Sequence, residues 1–262
     1  MNPPRPPLPE LRADPAWRCI DLLSDVHLHA DMPRTFEAWR KHLLQTPADA
    51  VLMLGDLFEV WVGDDQRCTG FDAQCLQALQ AASRQRVLAF MPGNRDFLIG
   101  EAMLADAGLL RLADPTVLLA FGQRWLLSHG DALCLSDTDY QRFRLQVRTP
   151  AWQQAFLSQP LSTRQQQARA MRDASAAHQA SQPAADRASL ADVDEAAAVA
   201  WLDAAAAPVL IHGHTHRPAS HALPGGRSRH VLGDWDLDAS PQRARALRLT
   251  ANGLTALDLA AP

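Results

Sequence analysis

Five short clusters of aspartate, histidine and asparagine lie along this 262-residue chain, and their side chains are of the types that bind divalent metal ions. The clusters are Asp25-x-His27, Gly55-Asp56, Gly93-Asn94, His129 and His214-x-His216. A mixture of carboxylate, imidazole and amide oxygen suits borderline to hard divalent ions such as Mn²⁺, Fe²⁺ or Zn²⁺. Thiolate is absent from the set, which argues against a structural zinc site.

Seven candidate ligands are too many for one ion, so the sequence predicts a centre with two. Asp56 is the natural bridge, because one carboxylate can serve both ions. The predicted division gives the first ion Asp25, His27 and His216, and the second ion Asn94, His129 and His214. Two ions about 3.5–4 Å apart lower the pKa of a shared water and hold a phosphoryl oxygen during in-line attack. The predicted chemistry is therefore hydrolysis of a phosphate ester or anhydride.

Each cluster follows a segment with strand character, which would bring the clusters together. The predicted strands cover residues 18–23, 50–54, 86–91, 124–127 and 209–211. Helix-like stretches at 35–44 and 71–84 separate the first three, which is typical of a layered α/β fold. Ligands in such folds lie past the carboxyl ends of the strands. We therefore expect all five clusters at one edge of the sheet.

The remaining segments predict one domain with a helical insertion. A strand at 116–121 should form a hairpin with 124–127, and the short strands after residue 218 should be antiparallel. Residues 136–206 are rich in Ala, Gln and Arg, and prolines divide them into predicted helices. Residues 1–17 are proline-rich and predict a flexible leader, which leaves 18–262 as a single domain.

Composition excludes several classes of protein. A net charge of -4 argues against general nucleic-acid binding. No apolar run approaches the roughly 20 residues that cross a bilayer. The four cysteines form no CxxC pair, so the default expectation is a reduced, cytoplasmic protein. Because Lys41 is the only lysine, other basic contacts to a phosphate must come from arginine or protonated histidine.

The order DxH…GD…GN…H…GHTH resembles the signature of the calcineurin-like metallophosphoesterases, and it extends from Asp25 to His216. This resemblance implies a four-layer α/β/β/α sandwich with two ions at the sheet edge. Most members of that family carry a histidine after the Gly-Asn pair, whereas this chain has Arg95. Arginine at this position supplies a fixed cation beside the phosphate instead of a titratable group.

Longer runs are similar to one branch of that family, the UDP-2,3-diacylglucosamine hydrolases of lipid A biosynthesis. They are GDLFEVWVGDD at 55–65, PGNRDFLIG at 92–100, SHGDALCLSDTDYQRFR at 128–144 and LIHGHTHRP at 210–218. The resemblance implies Mn²⁺-dependent attack of activated water at the α-phosphorus, which releases UMP and 2,3-diacylglucosamine 1-phosphate. It also implies that Asn94 and Arg95 stabilise the developing charge, and that His214 contacts the phosphate while binding its ion.

Substrate contacts outside the metal clusters are implied by the same resemblance. Asp137 matches a family aspartate that contacts the glucosamine, and Ser175 aligns with a family serine contact. Gln179 and Gln182 stand where the enterobacterial-type pattern has asparagine and lysine. Gln179 can replace the hydrogen bonds of asparagine, whereas Gln182 cannot replace a cation. A further departure is Asp234, which stands where an alanine is usual.

The helical insertion at 136–206 is expected to cover an acyl-chain groove as a lid. Its first part mixes arginine with apolar side chains, a composition that also suits packing against the core. The resemblance implies a lipid-linked nucleotide as substrate and peripheral contact with the cytoplasmic face of the inner membrane. The protein is expected to be a monomer.

Two other functions are open from the residues alone. One is a two-metal phosphoesterase of the same fold that acts on another nucleotide or phosphoester. The other is a non-catalytic metal-binding scaffold. Arg95 and the insertion argue against the first, and retention of all seven candidate ligands argues against the second.

Overall fold

In the computed structural model, residues 8–181 and 192–260 are described, with side chains described as far as residue 172 and again from residue 192. The strands are β1 (Glu10–Arg12), β2 (Cys19–Leu23), β3 (Ala50–Leu54), β4 (Val87–Met91), β5 (Leu109–Arg111), β6 (Thr116–Ala120), β7 (Gln123–Ser128), β8 (Val209–His212), β9 (Ser220–Leu223), β10 (Arg227–Val231), β11 (Arg245–Thr250) and β12 (Gly253–Asp258). The helices are α1 (Pro33–Gln45), α2 (Gly70–Ser83), α3 (Glu101–Ala107), α4 (Thr138–Val147), α5 (Pro150–Leu157), α6 (Leu161–Ser181) and α7 (Glu195–Ala205).

The strands form two mixed six-stranded sheets. The first has the order β12-β11-β2-β3-β4-β5, in which β2 to β5 are parallel and β11 is antiparallel to both of its neighbours. The second has the order β1-β6-β7-β8-β10-β9, with β7, β8 and β10 parallel. Each sheet therefore contains neighbouring parallel strands whose carboxyl ends share an edge.

Alternate strand residues face different layers, because successive side chains of a strand point to opposite faces. Leu22 and Leu52 belong to the apolar cluster between the sheets, together with residues of β6, β7 and β8. Leu23 and Val51 instead pack with side chains of α1, α2 and α3. On the far side, α7 packs against the outer face of the second sheet through an apolar cluster that includes Leu202. The predicted four-layer α/β/β/α sandwich is confirmed.

A buried ionic network ties β2, which leads to the first metal cluster, to its neighbours. Asp21 is inaccessible to solvent and accepts hydrogen bonds from Arg248 Nε at 2.7 Å and Thr46 Oγ1 at 2.5 Å. Burial alone would raise the pKa of Asp21, but the His42 imidazole 3.3 Å away and hydrogen bonds from Arg248 and Thr46 hold it well below the usual range. The network joins β2 to β11 and α1.

The local predictions differ from the structure at both ends of the chain. The strands predicted before each metal cluster are confirmed to within one or two residues, and so is the hairpin of β6 and β7. The expected flexible leader of 1–17 is wrong at Glu10–Arg12, because β1 pairs in parallel with β6. The tail is antiparallel in β9–β10 and β11–β12, but β10 is parallel to β8.

The helical character of 136–206 is confirmed in α4, α5, α6 and α7, while residues 182–191 lie outside the described residues. The predicted boundary of the insertion at residue 206 is too far toward the carboxyl end. The helix α7 carries Ala198, Leu202 and Ala205, which pack against Val117 and Leu126 of the second sheet. This helix is an outer layer of the sandwich, which leaves α4 to α6 as the described helices of the predicted lid.

Candidate metal centre

The strands deliver the predicted ligands to one edge of the sandwich. Asp25, Asp56 and Asn94 come shortly after β2, β3 and β4 of the first sheet. His129 follows β7 directly, and the 214–216 segment follows β8 in the second sheet. Since these strands are neighbours and parallel within each sheet, their carboxyl ends converge.

Backbone conformation is unusual at five of the seven predicted ligands. A positive φ is uncommon for residues other than glycine and requires support from the surrounding structure. Seven non-glycine residues in the described chain adopt one. Five of them are predicted ligands, namely Asp25 (53°), His27 (51°), Asp56 (53°), His214 (69°) and His216 (53°). The fold therefore accepts backbone strain where it turns these side chains toward each other.

Asp25, His27 and His216 form the first of two groups that could hold an ion. One potential ligand atom from each residue lies within 4.8 Å of those of the other two. His27 Nε2 and His216 Nε2 are 3.2 Å apart, and His216 Nε2 is 3.4 Å from Asp25 Oδ1. Two imidazole nitrogens that face each other across a carboxylate suit a shared cation.

Asp56, His129 and His214 form the second group. Asn94 Oδ1 completes it, 3.0 Å from His129 Nε2 and 2.8 Å from His214 Nδ1. Asp56 Oδ1 lies 3.7 Å from His129 Nε2, whereas its Oδ2 lies 3.9 Å from His27 Nε2 of the first group. Asp56 thus directs one oxygen toward each group, the placement that a bridging carboxylate needs.

Burial and charge set the protonation of these groups in the metal-free protein. Burial alone would raise the pKa of Asp25, but a hydrogen bond from His216 and nearby imidazolium charge hold it well below its usual range. Burial alone would lower the pKa of His129, but carboxylates led by Asp56 and Asp25 raise it to about 9. Burial and the charge of His129 lower the pKa of His214 to about 4. Metal binding must therefore displace a proton from His129.

The residues present fit two divalent cations. Asp25 and Asp56 are buried carboxylates that need compensating positive charge. The other donors are imidazole nitrogens and an amide oxygen, a set that suits borderline to hard ions. Asp56 belongs to the second group and directs its other carboxylate oxygen toward the first. The donor chemistry and its arrangement therefore agree with the sequence prediction of a two-ion centre.

Comparison with known proteins supplies the family. Residues 20–218 match the family described as calcineurin-like phosphoesterase. This chain belongs to that family. Members of the family use divalent metals, and the two donor groups of this chain could hold such ions.

Relatives with similar sequences carry one name. A UDP-2,3-diacylglucosamine hydrolase of Xanthomonas campestris pv. campestris is 45% identical over 248 residues, which is 91% of this phosphoesterase and 98% of the relative. Proteins of the same name from Stenotrophomonas maltophilia and Chromobacterium violaceum are each 44% identical, and cover 89% and 82% of this chain. The matches span 95% and 90% of those two relatives.

Two glycines allow the metal-binding loops of this phosphoesterase to approach each other. A Cβ on Gly93 would overlap the carboxylate and the backbone nitrogen of Asp56. A Cβ on Gly55 would overlap the His129 ring and lie 2.7 Å from Gly93 Cα. The glycines that precede Asp56 and Asn94 are therefore required by close contact between loops.

Gly93→Ala is expected to lower the metal content of the phosphoesterase and to destabilise it by about 2 kcal/mol, because the new methyl group displaces Asp56. Denaturant unfolding and the Mn²⁺ content after loading measure the two effects. Gly122→Ala is the control, since its Cβ enters open space in the β6–β7 turn although φ is 74°. That variant should lose stability only. Full metal content in Gly93→Ala would contradict the predicted close approach.

Asp96 supports the Asp56 loop from behind. Its carboxylate accepts backbone N–H bonds from Gly93 at 2.8 Å and Leu57 at 2.7 Å, with longer ones from Asp56 and Phe58. Burial, together with the negative charge of Asp56, raises the pKa of Asp96 to about 7. Neutralisation of Asp56 by a cation would favour the ionised form of Asp96, which is the better acceptor.

Arg95 is joined to the same loop through its backbone. The Arg95 N–H donates to Asp56 Oδ1 at 2.8 Å, and the Arg95 carbonyl accepts from the Trp61 N–H at 3.0 Å. The side-chain Nε is buried without a hydrogen-bond partner in the described residues. The backbone of Arg95 thus has a structural role, while its guanidinium retains a donor for a ligand.

Sequence reasoning missed a second buried acid, Asp131, which joins the insertion to the metal centre. Asp131 Oδ2 accepts from Tyr140 at 2.6 Å and from Arg144 Nε at 2.8 Å. The Tyr140 ring stacks on the His214 ring with centroids 6.0 Å apart. Arg148 donates to the Gly93 carbonyl at 2.8 Å. The run 128–144 contained Asp131, Tyr140 and Arg144, but neither spacing nor chemical type predicted their contacts.

Glu59 is the other functional neighbour that sequence reasoning left unassigned. Its Oε2 lies 2.8 Å from His27 Nδ1, and its Oε1 lies 3.0 Å from Arg172 of α6. A carboxylate behind a metal-binding histidine fixes the orientation of its ring. The run 55–65 contains Glu59, but residue type and spacing did not indicate this contact.

Four predicted substrate contacts, Asp137, Ser175, Gln179 and Gln182, belong to the sequence of the insertion. Asp137 caps the amino end of α4, where its carboxylate accepts from the Tyr140 N–H at 2.9 Å. Ser175 and Gln179 lie in α6, and their side chains are outside the described residues. Gln182 itself lies outside the described residues. In the part of the chain that the structure describes, no helix is both long and apolar enough to cross a membrane.

Proposed function

We propose that this protein hydrolyses the pyrophosphate bond of UDP-2,3-diacylglucosamine and releases UMP and 2,3-diacylglucosamine 1-phosphate. The observation that carries the proposal is the pair of neighbouring three-residue donor groups, one of which contains Asp56, with Asp56 directing one oxygen toward each group. The substrate is supported by relatives of that name at 44–45% identity, which cover 82–91% of this chain.

Two Mn²⁺ ions are the proposed cofactors. Asp56 would contact both ions, while the remaining ligands divide as the geometry groups them. The first set is Asp25, His27 and His216, and the second is Asn94, His129 and His214. When bound, two such ions activate water and neutralise charge on the phosphoryl oxygens.

The side chains around these ligands orient the pyrophosphate and stabilise its charge. Arg95 presents a planar cation beside Asn94, and its loop is fixed by the bond from its N–H to Asp56. Asn94 and His214 would contact the scissile phosphate as well as an ion. The leaving group is itself a phosphate monoester, so strong general-acid assistance is less necessary than for an alkoxide.

The helices α4 to α6 are the proposed lid over the acyl chains. Trp152, Phe156 and Leu161 pack against the core, so the lid is anchored. Arg164, only 3% exposed, strengthens this anchor by bonding the Val62 carbonyl and Asp65. Several large apolar side chains of these helices are exposed.

The exposed apolar side chains of the insertion support peripheral contact with the cytoplasmic face of the inner membrane. They are Phe143, Leu145, Leu157 and Met171, with Leu135 just before the insertion. Arginines in the same helices would favour anionic lipid. Asp137, Ser175, Gln179 and Gln182 are the proposed contacts to the glucosamine end of the substrate, and the protein is proposed to act as a monomer.

Product analysis in ¹⁸O-labelled water tests the proposed reaction. Purified protein with Mn²⁺ is expected to convert UDP-2,3-diacylglucosamine into UMP and the lipid monophosphate, with ¹⁸O only in UMP because attack occurs at the α-phosphorus. A generic phosphodiester in a parallel reaction should be cleaved far more slowly. Cleavage of the generic ester alone would reject the lipid substrate and favour a phosphoesterase for another nucleotide or phosphoester.

A further inference from the structure

Asp234 lies immediately behind the metal centre, in the segment that follows β10. Its side chain is 14% exposed, and Oδ2 accepts a hydrogen bond from Arg243 Nε at 2.9 Å. The same oxygen lies 3.9 Å from Nδ1 of His216. The carboxylate therefore sits between a guanidinium and the most exposed histidine of the first donor group.

The surrounding backbone fixes this position. The Trp235 N–H donates to the carbonyl of Asp25 at 3.0 Å, and the Trp235 side chain is buried. Asp236 and Arg243 exchange two backbone hydrogen bonds, at 2.6 and 2.9 Å. These bonds attach the segment that contains Asp234 to the predicted ligand Asp25. They also pair it with the backbone of Arg243. The carboxylate is thus held where it faces the imidazole.

Two other histidines of the predicted metal centre also have an oxygen atom beside Nδ1. His27 has Glu59 at its Nδ1, and His129 has the Leu54 carbonyl at its Nδ1, 3.0 Å away. In both rings Nε2 is then directed into a donor group. His216 directs Nε2 toward Asp25, and the group that faces its Nδ1 is Asp234. Asp234 occupies the corresponding place for the third histidine.

We propose that Asp234 is a positioning residue for His216, and that Arg243 sets the position of its carboxylate. The inference rests on the proposed metal function of His216. A carboxylate at Nδ1 favours the tautomer with hydrogen on that nitrogen, which leaves Nε2 free to bind an ion. The 3.9 Å between His216 Nδ1 and Asp234 Oδ2 is beyond hydrogen-bonding distance. Because the His216 side chain is 41% exposed, its ring has room to turn toward Asp234.

Metal titration of Asp234→Ala tests this role without reliance on turnover. The affinity for one of two Mn²⁺ ions is expected to fall at least about tenfold, because loss of an outer partner of a metal-binding histidine typically costs 10–100-fold. Asp234→Asn keeps an acceptor oxygen and should recover part of the loss. Affinity for the other ion should stay within about twofold, since its ligands do not face Asp234.

The control is Asp236→Asn, which removes another carboxylate near Arg243, at 3.4 Å, without facing His216. Its Mn²⁺ affinity should match that of the wild type. Arg243→Met should change the affinity in the wild-type background but not in Asp234→Ala, because both effects pass through the same carboxylate. Metal-free thermal unfolding of each variant identifies any general loss of structure.

Imidazole ¹⁵N NMR of the metal-free protein provides the independent readout. His216 is expected to carry hydrogen on Nδ1 in the wild type and to lose that preference in Asp234→Ala. Unchanged tautomer and Mn²⁺ affinity within twofold would overturn the inference. If the wild type binds no Mn²⁺, the proposed function fails separately, and the metal-free tautomer decides whether Asp234 orients His216.

Discussion

Asp56→Ala is expected to abolish turnover, with kcat/KM at least about 10³-fold below wild type, which corresponds to about 4 kcal/mol of lost transition-state stabilisation. The reason is that Asp56 is the residue whose two oxygens face different donor groups, with Oδ1 near His129 and Oδ2 near His27. Its loss should separate the two ions rather than weaken one. Steady-state kinetics with UDP-2,3-diacylglucosamine, together with measurement of bound Mn²⁺, checks both effects.

Two comparison variants sharpen this result. Asp56→Asn retains an oxygen for the Arg95 N–H but removes the charge, so it should keep the loop folded and still lose most activity. Asp106→Ala removes a carboxylate that pairs with Arg67 on the surface, and its activity should be near that of wild type. Near-normal turnover of Asp56→Ala would contradict the bridging role.

Arg95→Ala is expected to lower kcat by about 10² to 10³-fold while the Mn²⁺ content is unchanged, a magnitude typical for loss of one oriented transition-state donor. The structural reason is the division of roles within this residue. Its backbone N–H bonds Asp56 and survives the substitution, whereas its buried Nε has no partner among the described residues. Kinetics and metal analysis on the same preparations provide the measurement.

Arg95→Lys separates charge from geometry. Lysine retains a positive charge but lacks the planar fork of donors, so it should recover only part of kcat. The thermal unfolding midpoint of both variants should stay close to that of wild type. Loss of metal in Arg95→Ala would instead assign the side chain to maintenance of the loop.

The convergence of the predicted ligands was predictable because these residues follow strands of strong apolar character. The residues before Asp25, Asp56 and Asn94 are buried strands, and parallel pairing makes their ends converge. The order of the motifs then indicated the family, and with it the four layers. The positive φ values at the ligands could not be read from residue types, because aspartate and histidine adopt them here under the constraint of neighbouring loops.

The parts that sequence reasoning missed depend on pairing between distant segments. Residues 10–12 lie beside prolines and gave no strand signal, yet their backbone finds a partner in β6. The helix α7 has the same alanine-rich composition as the insertion, so only its packing on the second sheet distinguishes it. Glu59 pairs with Arg172 of α6, which is far along the chain. Asp131 pairs with Arg144, and Asp234 faces His216, at separations that residue type and spacing do not indicate.

Anomalous X-ray diffraction from crystals grown with Mn²⁺ is the most direct test of the two-metal centre. Two anomalous peaks per chain are expected, one among Asp25, His27 and His216 and one among Asn94, His129 and His214, with Asp56 contacting both. A single peak, or peaks outside these groups at full Mn²⁺ loading, would contradict the assignment of the two sites and of Asp56 as their bridge.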